Sequence, residues 1–112
     1  MDCLFCKIVA GEIPANKVYE TETVLAFRDI NPQAPEHILI IPKTHIATVN
    51  DIPKASNIMS ELYSAAQEIA RELSVQEKGY RLVMNCNGDG GQEVYHIHLH
   101  LLAGRQLNWP PG

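Results

Sequence analysis

Three of the five histidines, His96, His98 and His100, alternate with apolar residues near the C-terminus. Alternate side chains of a β-strand point to one face, so a strand here would align the three imidazole rings. Ile97 and Leu99 would then pack on the opposite, apolar face. A solvated strand with three surface histidines is the alternative, but such regular alternation favours a functional site. Two chemistries use aligned imidazoles: metal binding, and nucleophilic catalysis with acid–base support.

A glycine-rich loop, with Gly88, Gly90 and Gly91, immediately precedes the histidines. Glycines leave the backbone N–H groups uncovered, and turns of this kind bind anions such as phosphate. Such a loop is weak evidence when it stands alone. Beside a row of histidines it favours phosphoryl chemistry.

Four segments of the chain resemble a known family. Residues 91–102 (GQEVYHIHLHLL) are similar to the signature of the histidine triad (HIT) superfamily, in which three histidines alternate with apolar residues. Residues 27–35 (FRDINPQAP), 37–43 (HILIIPK) and 104–112 (GRQLNWPPG) resemble the Hint branch, the histidine triad nucleotide-binding proteins. The resemblance extends over nearly the whole chain.

This resemblance implies a purine nucleoside phosphoramidase, which cleaves the P–N bond of a nucleoside 5′-phosphoramidate, such as adenosine 5′-monophosphoramidate, into a nucleoside monophosphate and an amine. His98 would be the nucleophile and carry a transient nucleotidyl group. His100 would stabilise the phosphate oxygens and His96 would orient the row. Neutral imidazole suits the role because it attacks phosphorus near pH 7 and the resulting adduct is labile to water.

Three other functions compete with this interpretation. The first is a purine-nucleotide-binding scaffold with little turnover, and the second is a dinucleoside polyphosphate hydrolase, which the Hint-type tail disfavours. The third is a metallohydrolase that uses His96 and His98 as ligands. Such sites usually need further carboxylate or lysine ligands on a large barrel, which 112 residues cannot build.

The resemblance also assigns a site for a purine nucleotide such as AMP or GMP. Asp29 would bind the ribose, because a carboxylate accepts hydrogen bonds from two vicinal hydroxyls. Asn85 would lie near the phosphate, and the backbone N–H groups of Gly91, Gln92 and Glu93 would bind it. The slot for the base would consist of four apolar residues, each of which plain core packing also explains: Phe5, Ile8, Phe27 and Ile30.

Glu93 departs from the animal Hint pattern, which often has serine at this position. An ionised carboxylate repels phosphate, so we expect the Glu93 side chain to point away or toward the leaving amine. His37 matches another recurring position of the family and would hold the catalytic residues in place without contacting the substrate. The resemblance further implies a homodimer with one continuous sheet, in which Trp109 of the tail shapes the leaving-group side.

Cys3 and Cys6 form a C-x₂-C pair, the spacing of a zinc knuckle, although the pair alone is weak evidence. The chain resembles bacterial HIT proteins in which such a pair binds structural zinc. The other ligands there are the histidine after Pro-Lys-Thr, here His45, and the first histidine of the triad, here His96. The four would complete a closed tetrahedral site and leave the catalysis to the other two triad histidines.

The pattern of apolar residues predicts one α+β domain over residues 1–112. We expect a short helix over 3–10 and a long helix over 52–73, with Asp51 or Ser56 as its N-cap. Residues 87–91 would form a tight loop. Strands are predicted at 18–20, 24–30, 37–41, 80–85 and 94–102. With the resemblance, this predicts a HIT-like fold with a mostly antiparallel five-stranded sheet.

Composition excludes several classes of protein. The formal net charge of −4 argues against nucleic acids and anionic membranes as partners. The apolar run at residues 38–41 is far shorter than the roughly 18 residues of a membrane helix. No secretory signal is evident, and three cysteines do not suggest a disulfide framework. We therefore predict a cytoplasmic protein in which Cys86 is a small core residue.

Overall fold

A five-stranded sheet, antiparallel at every pairing, forms the centre of the computed structural model, which describes residues 2–112. Its strands are β1 (Lys17–Glu20), β2 (Val24–Arg28), β3 (Glu36–Pro42), β4 (Tyr80–Val83) and β5 (Leu99–Ala103), in the order β1-β2-β3-β5-β4. The helices are α1 (Leu4–Val9), α2 (Ile58–Glu72) and the single turn α3 (Asn87–Gly90). The predicted α+β class and antiparallel five-stranded sheet are confirmed.

Helix α2 covers one face of the sheet. Its apolar residues recur every three to four positions, which buries one side of the helix: Ile58, Leu62, Ala65, Ala66, Ile69 and Ala70. That side packs against Ile38 and Ile40 of β3 and against Leu99 and Leu101 of β5. Each buried leucine or isoleucine contributes roughly 1.5–3 kcal/mol, so this interface is a main source of stability.

Helix α1 covers the opposite face. Phe5 and Ile8 of this helix belong to a second apolar cluster with Phe27 of β2 and Leu39 of β3. Because side chains alternate along a strand, His100, between two residues that face α2, points to the α1 side. One face of the sheet therefore packs against α2, and the opposite face, next to α1, presents the histidine side chain of β5.

The long helix begins later than the sequence predicts. It starts at Ile58, its N-cap is Asn57, and residues 52–57 are not α-helical. Asp51 caps a different element: its carboxylate accepts hydrogen bonds from the N–H and hydroxyl of Thr48 at a 3₁₀ turn. Ser56 is not the N-cap either, although its Oγ accepts the Ile58 N–H at 3.1 Å.

The predicted last strand, 94–102, is also too long. The ladder begins only at Leu99, because the Ile97 N–H donates to the carbonyl of Ile46 at 2.8 Å instead of pairing within the sheet. Strand β4 ends at Val83, so Asn85 lies beyond it. The predicted tight loop at 87–91 is instead the helical turn α3, which ends at Gly91 with a φ of 79°.

Candidate functional site

His98 and His100 lie side by side on the α1 face, with ring centroids 5.0 Å apart. The Nδ1 of His98 is 2.9 Å from the carbonyl oxygen of His96, so Nδ1 carries the proton and donates it. The lone pair of His98 is therefore on Nε2. An imidazole held in this tautomer presents a nucleophilic nitrogen in a defined direction.

A hydrogen bond from His37 sets the tautomer of His100, and this tautomer is the opposite of the one at His98. The Gln33 N–H donates to Nδ1 of His37 at 3.0 Å, so the proton of His37 is on Nε2. That Nε2–H donates to Nδ1 of His100 at 2.9 Å, which places the His100 proton on its own Nε2. Among residues 2–112, this buried Nε2 has no hydrogen-bond partner. It is a donor suited to an anionic oxygen.

Burial favours the uncharged forms of His37 and His100. It lowers the pKa of His100 to about 4, with smaller contributions from His98 and His37. Burial also lowers the pKa of His37, against the opposing effect of the Asp29 carboxylate. Asp29 Oδ2 is 3.5 Å from Nε2 of His37, and Oδ1 accepts the Asn31 N–H at 2.8 Å. Near pH 7 His100 is thus a neutral donor.

The four predicted metal ligands are brought together beside this pair. Nδ1 of His96 is 3.4 Å from Sγ of Cys3 and 3.6 Å from Sγ of Cys6, and Nδ1 of His45 is 3.4 Å from Sγ of Cys6. Nitrogen and sulfur ligands of tetrahedral zinc lie about 3.5 Å apart, given Zn–N and Zn–S bonds of about 2.0 and 2.3 Å. The observed distances fit that arrangement.

The tautomer of His96 also fits a metal ligand. Its Nε2 is 2.8 Å from the carbonyl oxygen of Pro42 and donates to it, so the lone pair on Nδ1 faces the two thiols. Burial lowers the pKa of His96 and raises the pKa of the Cys6 thiol, the latter with the help of Cys3. As thiolates, the buried Cys3 and the half-buried Cys6 would need a neighbouring cation, and zinc would supply it.

Phe5 packs between the two groups of histidines. Its ring makes edge contacts with His98 at 5.1 Å and His96 at 5.8 Å, and with Phe27 at 5.5 Å. Phe5, Ile8 and Phe27 are buried in the α1 cluster, so core packing accounts for all three. Ile30 is fully exposed, so core packing does not account for it.

A sequence profile for the HIT domain matches residues 10–107. The chain belongs to the HIT domain family. It is 51% identical to the purine nucleoside phosphoramidase of Escherichia coli K12 over 107 residues, which cover 95% of this chain and 90% of that protein. It is also 51% identical to a 14 kDa zinc-binding protein of Zea mays, over 97% of this chain and 87% of that protein.

A solved HIT family hydrolase from Legionella pneumophila superposes on this HIT domain with a TM-score of 0.96. It is 59% identical, and the match covers 99% of this chain and 100% of that one. These similarities support a hydrolase. No helix within residues 2–112 of the HIT domain is long and apolar enough to cross a membrane.

The loop of this HIT domain uses most of its own donors. The Gly91 N–H donates to the Gly88 carbonyl and the Gln92 N–H to the Asn87 carbonyl, both at 3.0 Å, so these groups could bind a phosphate only by exchanging those bonds. The Glu93 N–H donates to no group in the described part of the chain. Of the three backbone N–H groups, it is therefore the one that could bind a phosphate without first giving up an existing hydrogen bond.

Gln92 has a structural role that the sequence did not reveal. Its buried side chain accepts the Asn87 N–H at 2.9 Å and donates to the Ala47 carbonyl at 2.8 Å and to the Val94 carbonyl at 3.1 Å. These bonds tie the loop to the segment that follows β3. No local pattern signals this, because Ala47 is 45 positions away.

The remaining site residues lie at the periphery. Asn85 is half-buried just after β4, and Glu93 is exposed. Trp109 is 81% exposed. Cys86 is half-buried and lies 3.5 Å from Nδ2 of Asn50, so the expectation of a core cysteine is wrong.

Proposed function

We propose that this HIT-family hydrolase is a purine nucleoside phosphoramidase that works through a nucleotidyl-histidine intermediate. The observation that carries the proposal is that two neighbouring imidazole rings are held in opposite tautomers. His98 has a lone pair on Nε2, and His100 has a proton on Nε2. One nitrogen can attack phosphorus while the other donates to an oxygen on which charge develops. The relative from E. coli bears the name of this activity.

In the first step, Nε2 of His98 attacks phosphorus and the P–N bond breaks. The departing nitrogen takes up a proton from solvent, which the attacking water of the second step later returns, and leaves as the free amine. The carbonyl of His96 accepts the Nδ1–H of His98, which favours the positive charge that the ring acquires. In the second step, water attacks the nucleotidyl-histidine, releases the nucleoside monophosphate and restores the imidazole.

The nucleotide would lie along the α1 side of the sheet. Asp29 would bind the ribose hydroxyls, and it can also face His37 because a carboxylate accepts up to about four hydrogen bonds. Asn85 and the Glu93 N–H would contact the phosphate. The purine base, as in AMP or GMP, would contact the apolar residues around exposed Ile30.

The test is hydrolysis of a tryptamine phosphoramidate of adenosine by the wild type and by His98→Ala. We expect steady turnover by the wild type and loss of at least about 1,000-fold in kcat/KM in the variant. Calorimetry with AMP should show binding to both proteins. Binding without turnover by the wild type would favour the scaffold, and faster cleavage of a dinucleoside polyphosphate would favour that hydrolase.

We also propose that one structural zinc ion binds to Cys3, Cys6, His45 and His96. The ligand distances support it, and so does the relative from maize that is named for zinc binding. Elemental analysis of protein purified without chelator should find one zinc per chain, lost in Cys6→Ser and kept in Cys86→Ser. Zinc well below one per wild-type chain would contradict the proposal.

A homodimer is the proposed assembly and the cytoplasm the proposed compartment, with no nucleic acid as partner. Sedimentation equilibrium tests the first. A mass near 25 kDa, about twice the 12.5 kDa of the chain, is expected. A mass near that of a single chain would contradict it.

A further inference from the structure

We infer that the cluster of Cys3, Cys6, His45 and His96 positions the nucleophile, so that zinc in the cluster holds His98 ready for attack. This inference rests on the proposed function. Its basis is that residue 96 belongs to both sites. The ring of His96 faces the thiols, and its carbonyl oxygen accepts the Nδ1–H that sets the tautomer of His98.

The segment 96–98 depends on these contacts because it lies outside the sheet ladder, which begins at Leu99. Three links hold it to strand β3, to the loop that follows β3 and to helix α1. They are the Ile97 N–H bond to Ile46, the His96 Nε2–H bond to Pro42, and the cluster itself. Without the metal, the third link is reduced to weak contacts between thiols and imidazoles, so the carbonyl of residue 96 is less firmly held.

Helix α1 forms a second connection between the cluster and His98. Cys3 is its N-cap and Cys6 lies in its first turn. Phe5, between the two cysteines, contacts the rings of both His96 and His98. A metal ion that binds both thiols would fix the helix and press Phe5 against the nucleophile. Both connections act on the ring of His98, one through its Nδ1–H and one through its T-shaped contact with Phe5.

This coupling predicts a specific kinetic effect. Emptying the cluster removes no group that would touch the substrate, so KM should change less than twofold. The attacking nitrogen would be misplaced, so kcat should fall by about 10-fold or more, the usual effect of losing the groups that orient a catalytic side chain. A merely structural metal would leave kcat of the folded protein unchanged.

The experiment compares Cys6→Ser with the matched control Cys86→Ser, which removes the one cysteine outside the cluster. Zinc content, circular dichroism, kinetics with the adenosine phosphoramidate, and ¹⁵N chemical shifts of the histidine rings at pH 8 are measured for each. We expect zinc-free but folded Cys6→Ser to show a lower kcat and a mixed tautomer at His98. Cys86→Ser should match the wild type in all four measurements.

The inference is overturned if zinc-free Cys6→Ser is folded and keeps both the wild-type kcat and the pure Nδ1–H tautomer of His98. If Cys6→Ser does not fold, His45→Asn and chelator-treated wild type, with and without added zinc, make the same comparison. Failure of every protein to hydrolyse the phosphoramidate would reject the proposed function, while the response of the His98 tautomer to zinc would still decide the coupling. Identical spectra with and without zinc would reject it.

Discussion

The Nε2 of His37 lies 2.9 Å from Nδ1 of His100, and this hydrogen bond determines which nitrogen of His100 can donate to a substrate. The bond joins the second residue of β3 to the second residue of β5 across 63 positions of sequence. The Gln33 N–H at the far nitrogen of His37 removes the alternative arrangement. His37, which the sequence predicted only as a supporting residue, therefore determines which nitrogen of His100 carries the proton.

Replacing His37 should impair turnover without impairing binding. In His37→Ala, Nδ1 of His100 loses its donor, so the ring can place its proton on either nitrogen. We expect kcat to fall by about 10- to 100-fold with KM nearly unchanged. His37→Gln, whose amide N–H can reach the same nitrogen, should recover part of the loss. Equal kcat values for the two variants in steady-state assays would argue against tautomer control.

Acid should destabilise the fold partly through His100. Its pKa is lowered to about 4 in the folded chain from an ordinary 6.5, so the unfolded chain binds the proton more tightly. The stability from its neutral state is complete above pH 6.5 and is lost as pH falls toward 4. The full contribution is roughly 3 kcal/mol.

Denaturant titrations from pH 7.5 to 4.5 measure this effect. The wild type should lose more free energy of unfolding over that range than His100→Gln, which lacks the titrating ring. The comparison isolates His100, since the other four histidines are present in both proteins. Parallel pH dependence in the two proteins would exclude the assigned shift.

Gln92→Ala should destabilise the fold, because the buried side chain makes three hydrogen bonds and its loss leaves backbone groups unpaired. We expect a loss of about 1–3 kcal/mol in the free energy of unfolding. The neighbouring exposed Glu93→Ala is the matched control and should stay within about 0.5 kcal/mol. Similar denaturation midpoints for both variants would mean that the three hydrogen bonds of Gln92 contribute little to the free energy of unfolding.

Glu93→Ser tests the leaving-group side of the site. If the exposed carboxylate faces the departing amine, the substitution should slow release of basic amines more than neutral ones, because it removes an attractive negative charge. The ratio of kcat/KM for an aminoalkyl and an alkyl phosphoramidate measures the preference. Unchanged rates with both substrates would exclude contact between Glu93 and the amine.

Local patterns were enough to predict the main elements that position the site. The stripe of apolar residues in α2 and the alternation of residues 97–101 both survive in the structure, because each is fixed by burial of one face. The structure also brings the four cluster residues together, while their role as zinc ligands stays a prediction. Residue spacing is sufficient to predict a helix or strand where its apolar residues are all buried on one face.

Specific hydrogen bonds, one of them long-range and the others local, account for what the sequence did not predict. Strand β5 starts late because Ile97 bonds to Ile46, and the helix start near Asp51 was wrong because Thr48 competes for that carboxylate. The loop donors at Gly91 and Gln92 are occupied by the carbonyls of α3, which no count of glycines reveals. Only the bond from Ile97 to Ile46 joins distant parts of the chain, while the others are local bonds that compete with the predicted roles of Asp51, Gly91 and Gln92.

The central claim is that Nε2 of His98 is the nucleophile. A rapid-quench reaction with excess adenosine phosphoramidate, followed by digestion and mass spectrometry, tests it most directly. We predict one adenylyl group on the peptide that contains His98, formed within the first turnover and absent from His98→Ala. Release of AMP and amine in the first turnover with no adduct on His98, or with the adduct on another residue, would contradict the account.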